Sequence, residues 1–232
     1  RGITVSEDDT VHPVSAQRLP VVFYGDSYIS GATSPQRIGG ISLLGAISHV
    51  GGINAVACGV TSTGYVVDGG VGLPMTSTQR LQLLCQMVNQ CAAPLVAIPA
   101  GFNDVSVSAS TASIKAAALT ILNYILANTG AKVVVFGAMP GGRNNSAAQQ
   151  NVDAGIASAV AEINSYRVAF VPVAGASAPW ITGTRNTAAT TGGTAGNSRY
   201  YTGDDAIHPS PFTTAAPNMP ANTTPSSGVE YL

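Results

Sequence analysis

Five short apolar runs punctuate the chain, and each stops at a glycine or proline or just before one. They are Leu19-Pro-Val-Val-Phe-Tyr24, Ile53-Asn-Ala-Val-Ala-Cys58, Pro94-Leu-Val-Ala-Ile-Pro99, Lys132-Val-Val-Val-Phe136 and Arg167-Val-Ala-Phe-Val-Pro172. Runs rich in β-branched residues and apolar without alternation fit strands buried on both faces of a parallel sheet. Between them the apolar period lengthens. Ile114, Ala118, Ile121, Leu122, Ile125 and Leu126 recur at helical spacing, with Ser110 or Thr111 as N-cap and Gly130 as terminator. Leu81, Leu84, Cys85 and Val88 mark a second helix, capped by Thr76 or Ser77, and Val152, Ile156, Val160 and Ile163 a third between about Ala147 and Ser165. A further helix is expected over Ile38 to Val50 despite three glycines. Strands alternating with helices predict a doubly wound α/β domain.

Two stretches break this rhythm. Gly175 to Tyr201 is rich in Thr, Gly and Asn and reads as a long surface excursion; from Pro209 to the C-terminus four further prolines stand among Thr, Ser and Asn. The expected organisation is an N-terminal extension over 1–18, one domain over 19–209 and a Pro/Thr-rich tail over 210–232.

Composition narrows the partners. The 232 residues are 45% hydrophobic and only 9% charged, where about a quarter is usual. Ten Lys and Arg against eleven Asp and Glu leave a net charge of −1. Such a chain lacks the basic field that releases counterions from nucleic acid. It has no apolar stretch of about 18 residues to span a membrane. A neutral surface rich in Ala, Gly, Ser and Thr suits a secreted or virion-exposed protein. The chain opens on Arg1 and carries no signal-peptide pattern, as expected of a mature or excised domain. Cys58, Cys85 and Cys91 lack zinc-site spacing. Three buried, inert thiols are the plain expectation, although Cys85 and Cys91 could pair in an oxidising compartment. No metal or other cofactor is expected.

In open parallel sheets, ligands bind beyond the carboxyl ends of the strands. The groups that follow the runs are Gly25-Asp26-Ser27, Gly59-Val60-Thr61, Gly101-Phe102-Asn103-Asp104 and Gly137-Ala138-Met139, and the last polar turn is Asp204-Asp205-Ala206-Ile207-His208-Pro209. A serine hydroxyl becomes a useful nucleophile when a histidine takes its proton and a carboxylate orients that histidine. Ser27, His208 and Asp205 can fill these roles. An oxyanion needs donors aimed at it, and the backbone N–H groups of Ser27 and Gly59 and the side-chain amide of Asn103 are candidates. Each element alone has an ordinary reading: a helix cap for Ser27, a turn residue for Asn103, a solvated loop for Asp205 and His208. Asp26 and Asp104 are expected to hold backbone turns rather than transfer protons.

The four blocks together resemble those of the SGNH, or GDSL-type, hydrolases: Gly25-Asp26-Ser27, Gly59, Gly101-Phe102-Asn103-Asp104 and Asp205-Ala206-Ile207-His208-Pro209. The resemblance spans about Leu19 to Pro209. It implies a flavodoxin-like three-layer α/β/α sandwich around a five-stranded parallel sheet, and ester hydrolysis with Ser27 as nucleophile, His208 as base and Asp205 as its partner. Ser27, Gly59 and Asn103 then form the oxyanion hole. The chain departs from the family in two ways. Its prolines after His208 argue against the usual final helix, which leaves room for a neighbouring domain or subunit there. A second Asp-x-x-His-Pro also stands at Asp9-Thr10-Val11-His12-Pro13. It precedes the first strand, roughly 17–20 Å from the catalytic edge, so His208 is the expected base.

The expected substrate is a small ester, O-acetyl on carbohydrate, because the surface is neutral and hydroxyl-rich and the sequence has no long apolar lid. A lipase or thioesterase, an acyltransferase, and a non-catalytic glycan-binding module of a larger protein are the alternatives.

Overall fold

The computed structural model describes residues 18–30, 48, 51–138 and 147–173. The expected helix over Ile38 to Val50 falls almost wholly outside these residues. So do the 1–17 segment, the Gly175 to Tyr201 excursion and the 210–232 tail.

Among the described residues, five strands form one parallel sheet: β1 Pro20–Gly25, β2 Asn54–Gly59, β3 Leu95–Ile98, β4 Lys132–Phe136 and β5 Val168–Val171. Their order is β2-β1-β3-β4-β5, and β1 pairs in register with β2 from Pro20↔Asn54 to Gly25↔Gly59. This flavodoxin-like order reverses direction at β1, so the chain leaves β1 and β3 toward opposite sides and opens a crevice at their carboxyl ends. Each apolar run coincides with one of these strands to within a residue at either end.

The helices are α1 Ser27–Ser30, α2 Thr78–Gln90, α3 Phe102–Ser106, α4 Thr111–Asn128 and α5 Ala147–Ile163. The inward stripes of α2, α4 and α5, including Leu84, Ile121 and Ile156, merge with Val22, Val96 and Val133 into the larger core on one face of the sheet. On the other face Ile29 of α1 packs with Val21, Phe23 and Ala97. Alternate residues of β1 thus serve opposite faces, as the pleat requires.

Ser110 caps α4 as expected, its Oγ accepting from the Ser113 N–H at 3.1 Å. Ser77 sits at the N-cap of α2 without a side-chain cap bond. The two edge strands, β2 and β5, are only partly buried, which corrects the expectation that every run is covered on both faces. No helix among the described residues is long and apolar enough to cross a membrane.

All three cysteines are free, Cys58 and Cys85 buried and Cys91 exposed. The conceivable Cys85–Cys91 bridge is absent for a geometric reason. Six residues on a helix are about 240° of rotation, so Cys85 faces the core while Cys91, at the C-cap of α2, faces out. The expectation of three buried thiols holds for two.

Candidate active site

Ser27 is the first residue of α1, immediately beyond the carboxyl end of β1, and is buried. The turn that delivers it is built by Asp26. Its carbonyl accepts from the N–H groups of Ile29 and Ser30, both at 3.0 Å, and its Oδ1 accepts from the Tyr28 N–H at 2.9 Å. Asp26 is therefore the cap of this short helix, the structural role expected for it. Its Oδ2 is buried and has no hydrogen-bond partner among the described residues. Burial pushes the Asp26 carboxyl up to about 7; the nearby Asp104 charge adds to this, and the Tyr28 bond opposes it.

Gly59 ends β2 beside Gly25. The α1 turn lies directly against it: a Cβ here would meet the Ser30 nitrogen at 2.7 Å and the Asp26 carbonyl at 2.8 Å. Only glycine lets the two segments approach this closely. The N–H groups of Asn54 and Val60 donate to Leu19 and Gly25 of the β1 segment. Since successive N–H groups of a strand alternate in direction, the Gly59 N–H points away from β1 and is not consumed by that ladder.

Asn103 belongs to α3, a one-turn helix too short for the apolar periods to mark. Gly101 at its N-cap has φ +105°, a conformation L side chains rarely adopt, and this bend starts the helix directly after β3. The Asn103 Nδ2 donates to the Thr63 carbonyl at 2.8 Å. A primary amide has two N–H donors, so one orients the group and the second remains. Asp104, fully buried, accepts from the backbone N–H groups of Tyr65 at 2.8 Å, Val66 at 2.9 Å and Val67 at 3.3 Å. Burial raises its pKa despite these bonds. Here too the expected backbone-holding role is seen, and it fastens the loop after β2 onto α3. The rings of Tyr28 and Phe102, 6.0 Å apart and tilted by 51°, join α1 to α3.

Ser27, Gly59 and Asn103 thus stand at the carboxyl ends of three adjacent strands, with Ser27 on the central one. Asp205 and His208 lie outside the described residues, as do Asp9 and His12.

Three polar groups at this edge escaped sequence reading. Arg80 of α2 is buried and donates from Nη1 to the Thr63 Oγ1 at 2.7 Å and the Leu73 carbonyl at 3.1 Å. Its Nη2 donates to the Gly25 carbonyl at 2.7 Å. The guanidinium carbon lies 5.0 Å from the centre of the Tyr24 ring, and the Tyr24 hydroxyl donates to the Met75 carbonyl. Asp153 of α5 accepts from the Ala138 N–H at 2.6 Å, and Gln149 donates to the Ala138 carbonyl at 2.9 Å. The only signal for these residues was a charged or amide side chain at a core-facing position of a helical pattern.

Among solved structures the chain is similar to a GDSL-like lipase from Bacteroides thetaiotaomicron, with 18% identity, 87% of this chain and 84% of that one covered, and a TM-score of 0.50. The chain has the SGNH-hydrolase fold. It is also similar to a carbohydrate acetylesterase from Sinorhizobium meliloti (14% identity, 66% and 83% covered, TM-score 0.49). A third similar structure is a putative lipolytic protein of the G-D-S-L family from Desulfitobacterium hafniense (12%, 88% and 91%, 0.48). No protein-family model matches the chain, and no curated protein matches it by sequence. In this SGNH fold the Gly25-Asp26-Ser27 block follows the strand at which the sheet order reverses.

Proposed function

We propose that this chain is a serine carboxylic ester hydrolase. Ser27 is the nucleophile, His208 the general base and Asp205 the residue that orients it. The N–H groups of Ser27 and Gly59 and the Asn103 amide hold the oxyanion. The observation that carries the reading is the triple alignment at the sheet edge: a buried serine after the central strand, flanked by a glycine whose N–H points out of the β1 ladder and by an amide already fixed through one of its two hydrogens.

The reaction divides into two acyl transfers. Ser27 Oγ attacks the ester carbonyl carbon as His208 takes the hydroxyl proton, and the carbonyl oxygen becomes an oxyanion among the three donors. Collapse breaks the bond to the alcohol, which leaves with the proton from His208. Water, deprotonated by the same imidazole, then attacks the acyl-enzyme. The acid leaves, and Ser27 recovers its proton.

The substrate we favour is an O-acetyl ester on a carbohydrate, supported by a chain of which only 9% is charged and whose net charge is −1. A neutral, hydroxyl-rich surface suits an uncharged polysaccharide and a secreted or virion-exposed setting.

The test is hydrolysis of esters graded by acyl length, alongside acetylated polysaccharides. Acetyl should be preferred. Ser27→Ala should abolish acyl-enzyme formation, and Asn103→Ala should lower kcat by about 10²–10³-fold. A preference for long chains would replace the carbohydrate reading with a lipase or thioesterase. Faster turnover with an added sugar acceptor would indicate an acyltransferase. Glycan binding without cleavage of any ester would leave a binding module.

A further inference from the structure

Arg80 poses an energetic question. Its side chain is buried, and burial lowers its pKa, yet its hydrogen bonds go to two main-chain carbonyls and a hydroxyl rather than to a carboxylate. Taking a guanidinium out of water is costly unless its donors are well used. These donors are used on two segments, the end of β1 at Gly25 and the two ends of the loop that runs from Thr63 to Leu73. The Gly25 carbonyl lies two residues before Ser27 and also accepts from the Val60 N–H at 3.1 Å. Thr63 takes the second bond through Oγ1, which itself donates to the Val60 carbonyl at 2.7 Å. The Thr63 carbonyl is the acceptor that fixes Asn103. Leu73 closes the far end of the same loop.

We propose that Arg80 is a positioning residue that sets the Asn103 amide relative to Ser27, acting through Thr63 on one side and the Gly25 carbonyl on the other. The proposal rests on the esterase reading for its kinetic consequence, but its geometric content stands apart from it. A planar fork can hold the nucleophile turn and the oxyanion loop at one fixed separation. A lysine ammonium, a single point on a flexible stem, cannot span the same acceptors.

Misplacing a donor by about 1 Å can cost on the order of 10²-fold in rate. Arg80→Gln and Arg80→Lys should therefore each lower kcat by about 10–100-fold with KM little changed, and lysine should not rescue. The decisive measurement is the double variant. If Arg80 acts through Asn103, Arg80→Gln combined with Asn103→Ala should be about as slow as Asn103→Ala alone, a strong non-additivity. Multiplying effects would overturn the proposal, because a role in general stability would be independent of Asn103. Thr63→Val, which removes the hydroxyl but keeps the carbonyl that Asn103 uses, provides a gentler break of the same path. It should reproduce the kcat loss and its non-additivity should Arg80 variants fold poorly.

Amide hydrogen exchange separates failure of this proposal from failure of the esterase reading. In Arg80→Gln or Thr63→Val, exchange should rise over 25–27 and 60–75 and stay unchanged in β4 and α4. A wild-type protein inactive on every ester would sink the esterase reading alone, and the exchange result would still decide Arg80. Unchanged exchange over 60–75 would refute it.

Discussion

Asp26 illustrates how one side chain can be legible in type and illegible in state. Its place between Gly25 and Ser27 marks it as a turn former, and its backbone and Oδ1 bonds do cap α1. Nothing in the sequence says that it is fully buried, because that depends on α1 closing down onto β2. Its carboxyl is raised to about 7, against roughly 3.9 in an unfolded chain. The sign follows from proton binding. Between about pH 4 and 7 the folded state holds the proton and the unfolded state does not. This contribution to stability is therefore full below about pH 4 and is lost as pH rises through 7. Asp26→Asn cannot ionise and should not show that loss. Its stability relative to wild type should improve from pH 4 to pH 8 by on the order of a few kcal/mol, read from denaturant titrations at each pH. Asp104, raised in the same direction, keeps part of the slope in the variant. A constant difference across the range would mean that Asp26 is ionised in the folded protein throughout.

At the scale of elements, the apolar runs and helical periods located all five strands and the three long helices, because each signal is local in sequence. What was missed is set by contacts between elements. The short helix α3 has too few residues to show a period and exists because Gly101 bends the chain after β3. Arg167, at the start of the fifth run, donates to the carbonyls of Leu126, Thr129 and Ala131. It thereby ties the end of α4 to the sheet margin opposite the site. Gly155 is a further case, a glycine inside a helix whose purpose appears only in the packing. A Cβ there would come within 2.7 Å of the Thr111 carbonyl and 2.8 Å of Ile114 on α4. Helix propensity alone would make Gly155→Ala stabilising by about 1 kcal/mol. The clash is with backbone and a β-branched side chain, neither of which can swing aside, so overpacking should win by about 1–3 kcal/mol. Chemical denaturation should show net destabilisation, and a gain would mean that α4 and α5 can part freely. Because Val152 and Asp153 ride on α5 at the edge of the site, the variant should also turn over more slowly.

For the whole molecule, chain topology joins the motifs: blocks scattered from Ser27 to Asn103 meet because β2, β1 and β3 are neighbours. The proposed base and its orienting carboxylate can be sought through pH. A histidine base requires kcat/KM to rise with pH through a pKa near about 6.5. Asp26, raised to about 7, titrates in the same window one residue from Ser27, so a rising limb in wild type has two possible sources. Asp26→Asn removes one of them. If histidine is the base, the limb should persist in this variant with little shift. A profile that becomes flat would assign it to Asp26 instead. The choice of histidine is then made by replacement. His208→Ala should cost on the order of 10⁶-fold in kcat, nearly as much as Ser27→Ala, since members of a triad act as a unit. His12→Ala should leave the rate within a few-fold of wild type. The reverse pattern would transfer the base to the segment that precedes β1, and with it the role of Asp205 to Asp9, while leaving Ser27, Gly59 and Asn103 in their assigned places.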